Sequence, residues 1–270
     1  MKIRYPDLLT VYTASENITF AEKDNPHHDG VSPVELYWND VHVALSQGDT
    51  LHISLTAQES EVTYLRLRFN FTEEEKRADI RILGDDYERG YGKFRWEGII
   101  PERVMPWYML VSNGNDRYPD TTGRHTDAYG VMVRPAAICT WQYDGAGVTL
   151  WCDVRNGGAG VQLGGRTLSV CDVVMEEYEN VTAYEAGQSF CRRMCPDPLV
   201  PDHKVYGSNN WYDAYGNSSH EDILGDSRLL SELCQGLENR PYMVIDDGWQ
   251  PNKTDWPWDR GNERFPDMKA

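Results

Sequence analysis

YMVIDDGWQ, residues 242–250, is the stretch whose reading decides the fold. Four apolar or aromatic residues come first: Tyr242, Met243, Val244 and Ile245. Two adjacent carboxylates, Asp246 and Asp247, come next, and then Gly248, Trp249 and Gln250. An apolar run of this length without polar alternation predicts a strand buried on both faces, as in a parallel sheet. Ligand sites of parallel α/β folds sit at the carboxyl ends of strands, where Asp246 and Asp247 stand. Gly248 permits a sharp turn there. Trp249 offers a flat apolar face for stacking or for packing under a loop. A helix N-cap would account for one of the two aspartates, but not for the second or for the Trp.

Upstream lies a matching segment. Val205-Tyr206-Gly207-Ser208-Asn209-Asn210-Trp211-Tyr212 reads as a short strand running into a polar, aromatic end. Ser218-Ser219-His220-Glu221 has the pattern of a capping box. Ile223, Leu230, Leu233, Cys234 and Leu237 then form an apolar helical stripe, which Asn239-Arg240-Pro241 ends. Residues 204–270 therefore read as one β–α–β unit with its polar residues at the strand ends. Before it, Thr182 and Glu185 make another capping box, with Ala183, Ala186, Phe190 and Met194 at helical spacing. Pro196, Pro198 and Pro201 stiffen the connector after this helix. Residues 182–203 are thus a linker helix and connector.

Residues 1–181 read as β. Leu51, Ile53 and Leu55 alternate with polar residues, as do Leu65, Leu67, Phe69 and Phe71. Further strand-like runs occupy 107–111, 131–133, 138–143, 148–154, 161–163 and 167–174. Asp144-Gly145, Asn156-Gly157-Gly158 and Gly164-Gly165 mark turns between them. Many strands joined by tight turns predict an antiparallel sandwich. Within it, residues 85–96 (DDYERGYGKFRW) are charged, aromatic and glycine-punctuated. They read either as an exposed hairpin or as a loop reaching a ligand site, with Tyr91 and Trp96 as its candidate contacts. Residues 24–30 (DNPHHDG) read as a polar turn; a lone His-Asp set is a weak metal signal.

The formal net charge of −17 excludes nucleic acid as a natural partner. No apolar run approaches a membrane span. The N-terminus MKIRYPDLLTVY lacks the apolar core of a signal peptide, so a cytoplasmic location is expected, although a signal removed earlier would leave no trace. The six cysteines, at 139, 152, 171, 191, 195 and 234, form no CxxC pair. Buried free thiols are the expectation, and no metal site is.

Asn209-Asn210-Trp211-Tyr212, then Ile245-Asp246-Asp247-Gly248-Trp249, then Gly261-Asn262-Glu263-Arg264-Phe265-Pro266-Asp267-Met268 together resemble the start of the barrel in glycoside hydrolase family 36. This family of α-galactosidases (melibiases), α-N-acetylgalactosaminidases and raffinose or stachyose synthases shares a clan with family 27. Asn210 stands where many clan members have Ser. The resemblance implies a multi-domain fold: an N-terminal β-supersandwich followed by the first β–α–β unit of a (β/α)8 TIM barrel, truncated here. Such a barrel takes roughly 250 residues. The family's nucleophile and acid/base lie on its fourth and sixth barrel strands, so the resemblance implies that no catalytic residue falls within this chain. It also implies that the fragment alone is inactive and that the full-length protein is a retaining hydrolase of terminal α-galactosides. A raffinose-synthase-type transglycosylase and a non-catalytic carbohydrate-binding sandwich module are the alternatives. Asp246 and Asp247 cannot themselves be the catalytic pair. A retaining glycosidase needs carboxyls on opposite sides of the scissile bond, about 5–5.5 Å apart, and neighbours on one strand approach from the same side. The family instead uses this pair to accept hydrogen bonds from sugar hydroxyls. Trp211 inherits a place lining the same subsite, with Trp249, and further Trp256 and Trp258, beside it. No cofactor is implied. The partner implied is an oligosaccharide or glycoside substrate, and homo-oligomeric assembly is compatible with the family.

Overall fold

Period-two alternation gives each strand one apolar face, and a sheet built from such strands must hide that face against another. The computed structural model describes residues 3–21, 33–113, 121–251 and 259–269. The chain divides into two units, Met1–Asp197 and Pro198–Ala270. Residues 24–30, Trp256 and Trp258 lie outside the described residues.

The first unit contains β1 (Leu8–Thr13), β2 (Asn17–Ala21), β3 (Val34–Trp38), β4 (Val41–Gln47), β5 (Leu51–Ala57), β6 (Glu61–Asn70), β7 (Arg81–Gly84), β8 (Met105–Pro106), β9 (Tyr108–Ser112), β10 (His125–Val131), β11 (Ile138–Tyr143), β12 (Gly147–Asp153), β13 (Val161–Gln162) and β14 (Thr167–Glu179). These strands build two seven-stranded sheets, in the orders β2-β1-β6-β12-β11-β8, with β13 also on β6, and β3-β4-β5-β14-β10-β9-β7. Neighbours in both run antiparallel. The inner faces meet in one core that includes Leu51, Ile53 and Leu55 from one sheet and Leu65, Leu67 and Phe69 from the other. This is the antiparallel sandwich that alternation predicts.

The sequence reading names no run for β1, β2, β3, β4, β7 or β8, and it misplaces β10. The run 131–133 was the expected strand, whereas β10 occupies His125–Val131 and ends where that run begins. The segment HTDAYGV carries little apolar weight, so periodicity passes over it. Its outward residues Ala128 and Gly130 are small because a helix lies on them. A Cβ on Gly130 would sit 2.5 Å from Met194 Sδ and 2.8 Å from Phe190 Cε1. The helix is α1 (Ala183–Met194), with the Thr182–Glu185 capping box formed and Ala183, Ala186, Phe190 and Met194 buried. Leu110, Ala128, Val174, Phe190 and Met194 make a second, smaller core on the outer face of this sheet.

Cys139, Cys152 and Cys171 are buried free thiols in the main core, with sulfurs within 4.8 Å of one another. Contact with Cys139 and burial together push the Cys152 and Cys171 thiols well above their ordinary range, so they pack as neutral, small apolar groups. Among the described residues, no helix is long and apolar enough to cross a membrane.

The second unit holds β15 (Gly207–Asn209), α2 (Trp211–Ala214), α3 (His220–Leu233) and β16 (Tyr242–Val244). β15 and β16 pair in parallel, Asn209 opposite Val244, which makes the expected β–α–β unit. Three details depart from expectation. Trp211 and Tyr212 start a short helix rather than extending the strand. The capping box on α3 joins Ser219 to Asp222, one residue later than Ser218 to Glu221, because the Ser218 hydroxyl is taken by Asn210 Nδ2 at 2.9 Å. The strand is not buried on both faces: Tyr242 and Val244, which share a face, are 50% and 49% exposed. Two strands and one helix cannot cover both sides of a parallel pair.

Phe190 is fully buried at the α1 seam. Phe190→Ala should therefore cost about 3–5 kcal/mol in urea unfolding of the first unit. A loss under about 1 kcal/mol would mean that the helix is not what holds that sheet face.

Candidate functional site

The carboxyl ends of β15 and β16 are tied by one side chain. Asn209 Nδ2 donates to Asp246 Oδ2 at 2.8 Å, while Asn209 Oδ1 accepts the Trp211 backbone N–H at 2.7 Å. One carboxamide thus joins the end of β15, the start of α2 and the first carboxylate. Asp246 Oδ1 accepts the Asp247 N–H at 2.7 Å. Asp247 Oδ1 accepts Gln250 Nε2 at 2.6 Å, and Gln250 Oε1 accepts the Gly248 N–H at 3.1 Å. Residues 246–250 therefore close on themselves through the Gln250 amide.

Gly248 sits at φ +104°, and a Cβ there would lie 3.0 Å from the Gly216 carbonyl oxygen. Only glycine suits both the backbone angle and the close approach. Asn262 holds this loop from the other side. Its Nδ2 donates to the Gly248 carbonyl at 2.7 Å and to the Gln250 carbonyl at 3.3 Å, and its N–H donates to the Trp249 carbonyl at 2.8 Å. Arg264 donates to the Gly216 carbonyl at 2.6 Å, and its own carbonyl accepts the His220 N–H at 2.9 Å. Phe265, 2% exposed, anchors the segment. The Gly261–Phe265 motif is therefore a clamp between the acidic loop and the turn before α3.

The structure brings Asp246 and Asp247 together at the end of β16, half-buried and in reach of the β15 end. Trp211 is half-buried and meets the Tyr215 ring edge-on, at 5.7 Å between centroids. Trp249 is half-buried, next to the carboxylates in sequence. The bonding roles of Asn209, Gln250, Asn262 and Arg264 were missed in sequence. The only signal was a set of amide-bearing residues around glycines, and nothing in such a set says which amide meets which carboxylate. The two partners of Asp246 are neutral donors, a carboxamide and a backbone amide. Among the described residues no cation compensates its charge, and about half of its acceptor positions are used. A half-open, charged acceptor at a strand end can take hydroxyl donors.

Tyr91 and Trp96 belong to the first unit. Residues 85–96 form neither a hairpin nor a free loop. Asp85 is buried and accepts Arg89 Nε at 2.9 Å and Nη2 at 2.5 Å, while Asp86 accepts the Glu88 and Lys93 amides. Tyr91 is 77% exposed. Trp96 is half-buried against the seam of Leu110, Phe190 and Met194, which accounts for it by packing.

Two other clusters have metal-like composition among the described residues. His125, Asp127 and Glu177 converge, but the Arg77 guanidinium stands among them, 3.0 Å from His125 Nε2 and 3.8 Å from both carboxylates. A resident cation already balances that charge. Of the three core thiols, Cys152 and Cys171 are pushed well above the ordinary thiol range, first by contact with Cys139. Cys191 and Cys195, although one helical turn apart, join no such cluster among the described residues.

No family model matches the chain, and no curated protein does. Solved structures similar to it include the GH36 α-galactosidase AgaA from Geobacillus stearothermophilus. Its complex with 1-deoxygalactonojirimycin is 14% identical at a TM-score of 0.48, over 94% of this chain and 41% of that one. A variant of the same enzyme in complex with raffinose is 13% identical at 0.48, with the same coverage. An α-galactosidase from Lactobacillus brevis is 12% identical at 0.47, over 94% of this chain and 35% of that one. The first two bear the name of the family that the residue motifs resemble. The chain spans about two fifths of the length of AgaA.

Asn262→Ala removes two side-chain bonds from the acidic loop, those to the Gly248 and Gln250 carbonyls, and keeps the backbone one. Amide exchange at residues 247–250 should then quicken at least tenfold, the equivalent of about 1.4 kcal/mol of local stability. Unchanged exchange would show that the clamp is not what orders the loop.

Proposed function

We propose that the second unit supplies a sugar subsite of a glycoside-acting enzyme, and that the chain is the N-terminal part of a retaining α-galactosidase-like hydrolase. The observation that carries this reading is the Asn209–Asp246 hydrogen bond at 2.8 Å, which fixes a charged acceptor at the joined carboxyl ends of two parallel strands. Carboxylates held by neutral amides accept hydrogen bonds from hydroxyls, and a pair of adjacent ones suits two neighbouring hydroxyls of one pyranose. In this reading Asp246 and Asp247 hold the 4- and 6-hydroxyls of a terminal galactose. Trp211 and Trp249 present apolar ring faces to its C–H face.

The chemistry itself is assigned to carboxylates beyond residue 270. Adjacent aspartates on one strand reach a sugar from one side, whereas displacement at the anomeric carbon needs a nucleophile and an acid on opposite sides. The half-exposed face of β16 supports the same reading, since a barrel strand has a neighbour and a covering helix. Tyr91, exposed on a loop ordered by the Asp85–Arg89 pair, is proposed as a further contact to the sugar site, within the chain or across an oligomer.

Three outcomes are expected. The 270-residue chain alone leaves an aryl α-galactoside unhydrolysed; turnover above a blank would place the nucleophile inside it. In the complete enzyme, Asp246→Asn and Asp247→Asn each lower kcat/KM by about 10- to 150-fold, the loss of one charged hydrogen bond worth roughly 1.5–3 kcal/mol, with the unfolding midpoint held. Wild-type kcat/KM in both variants would make the pair structural. Tyr91→Ala raises KM or lowers kcat in the complete enzyme, whereas unchanged kinetics and unchanged oligomer mass would leave that loop as scaffold.

A further inference from the structure

The outward positions of an antiparallel sheet that faces water are ordinarily polar. On the first sheet, strand register places a different set there. Tyr64 on β6 is paired with Tyr12 on β1 and with Asp153 on β12, and Asp153 is paired in turn with Ile138 on β11. In the next row, Arg66 is paired with Thr10 and with Trp151, and Trp151 with Thr140. Three strands distant in sequence thus put three aromatic rings on one patch.

The rings are held in place. Tyr12 and Tyr64 meet edge-to-face at 6.4 Å and 86°, and Tyr64 meets Trp151 at 6.4 Å and 87°. The Arg155 guanidinium carbon lies 4.6 Å from the centre of the Tyr64 ring, and that of Arg66 lies 5.4 Å from the Trp151 ring. Trp151 Nε1 donates to Gln142 Oε1 at 2.8 Å. Beside these rings runs an open groove of about 370 Å³, whose lining includes Tyr64, Tyr87, Ile138, Gln142, Trp151 and Asp153. Tyr87 and Ile138 are 58% and 48% exposed. Partial burial, and then the charge of Asp153, raise the Tyr87 phenol, so that hydroxyl stays neutral and in electrostatic reach of the carboxylate.

We propose that this groove is a second carbohydrate site, taking a neutral oligosaccharide along the outer face of the first sheet. Rigid aromatic faces pack on the C–H faces of pyranoses, with little entropy lost on binding. The Tyr87 and Thr140 hydroxyls and the Gln142 carboxamide supply donors and acceptors for hydroxyls. The one charged side chain that lines the groove, Asp153, is neutralised by Arg155, whose Nε lies at 3.0 Å and Nη2 at 2.8 Å. A balanced groove on a chain of net charge −17 favours a neutral ligand over an anionic one. This site lies within the first unit and does not rest on the reading of Asp246 and Asp247.

The test is calorimetric and fluorescence titration of the full 270-residue chain with stachyose, maltotetraose, cellotetraose and xylotetraose. Each is run on the wild type, on the Asp246→Asn/Asp247→Asn double variant, and on Tyr87→Ala and Trp151→Ala. At least one tetrasaccharide should bind saturably and perturb tryptophan emission, equally in the wild type and the double variant. Tyr87→Ala, at an exposed position, should weaken it about five- to tenfold with an unchanged unfolding midpoint, the effect of one lost stacking contact. Trp151→Ala should weaken it further if it folds. No saturation below about 10 mM by any of the four would overturn the proposal. Binding that Tyr87→Ala leaves intact, or that the double variant abolishes, would also overturn it. So would a change in self-association on Tyr87→Ala without sugar binding, which would assign the face to a protein partner.

Discussion

A sheet with one apolar face needs something to lie on it, and the two units meet that need unequally. In the first, two seven-stranded sheets hide their inner faces in one shared core. The sheet of β10 and β14 is covered a second time, by α1, and the cover dictates residues. β10 is buried along nearly its whole length, and its outward positions shrink to Ala128 and Gly130 so that Phe190 and Met194 can come down on them. In the second unit, β15 and β16 have only each other and α3. Leu233 and Leu237, which the helical stripe assigns to a buried face, are 74% and 54% exposed. Among the described residues of 204–270, the apolar pattern is thus richer than the burial they give one another.

This difference explains what could be read from sequence. Where alternation is strong, as in Leu51–Ala57 and Glu61–Asn70, strand and inner face emerge directly from the residues, because period two is a local property. The capping box at Thr182 is equally local and forms as read. β10 was misplaced because its outward face, Ala128 and Gly130, is covered by a helix more than fifty residues later, and only Tyr129 and Val131 carry the inner core. The cap of α3 slipped by one residue for a similar reason. Ser218 and Ser219 are equivalent in a local pattern, and Asn210 decides between them by taking the first hydroxyl. The aromatic patch of Tyr12, Tyr64 and Trp151 was illegible, since it exists only through the register of three strands spread over 140 residues of chain.

The candidate site was half legible on the same grounds. The acid pair at the end of an apolar run is a local signal, and the structure puts it at a strand end. That Asn209 rather than Trp211 turns toward Asp246 depends on the parallel register of β15 on β16, which no local pattern contains.

The bonding of Asp246 differs in kind from that of Asp85 and Asp144. Asp85 is buried in a two-point bond with Arg89, and Asp144 accepts both Nη atoms of Arg68 at 2.7 and 3.0 Å. Such a fork occupies both oxygens and cancels the charge, so the group is spent on holding structure. Among the described residues, Asp246 has neutral amide partners. A purely structural carboxylate at a strand end would gain more from a cation than from a carboxamide, because a charged donor makes the stronger bond. Amide partners fix the position of the group and leave its charge and half its acceptor capacity in place. Under the proposed function, hydroxyl donors would fill those open positions.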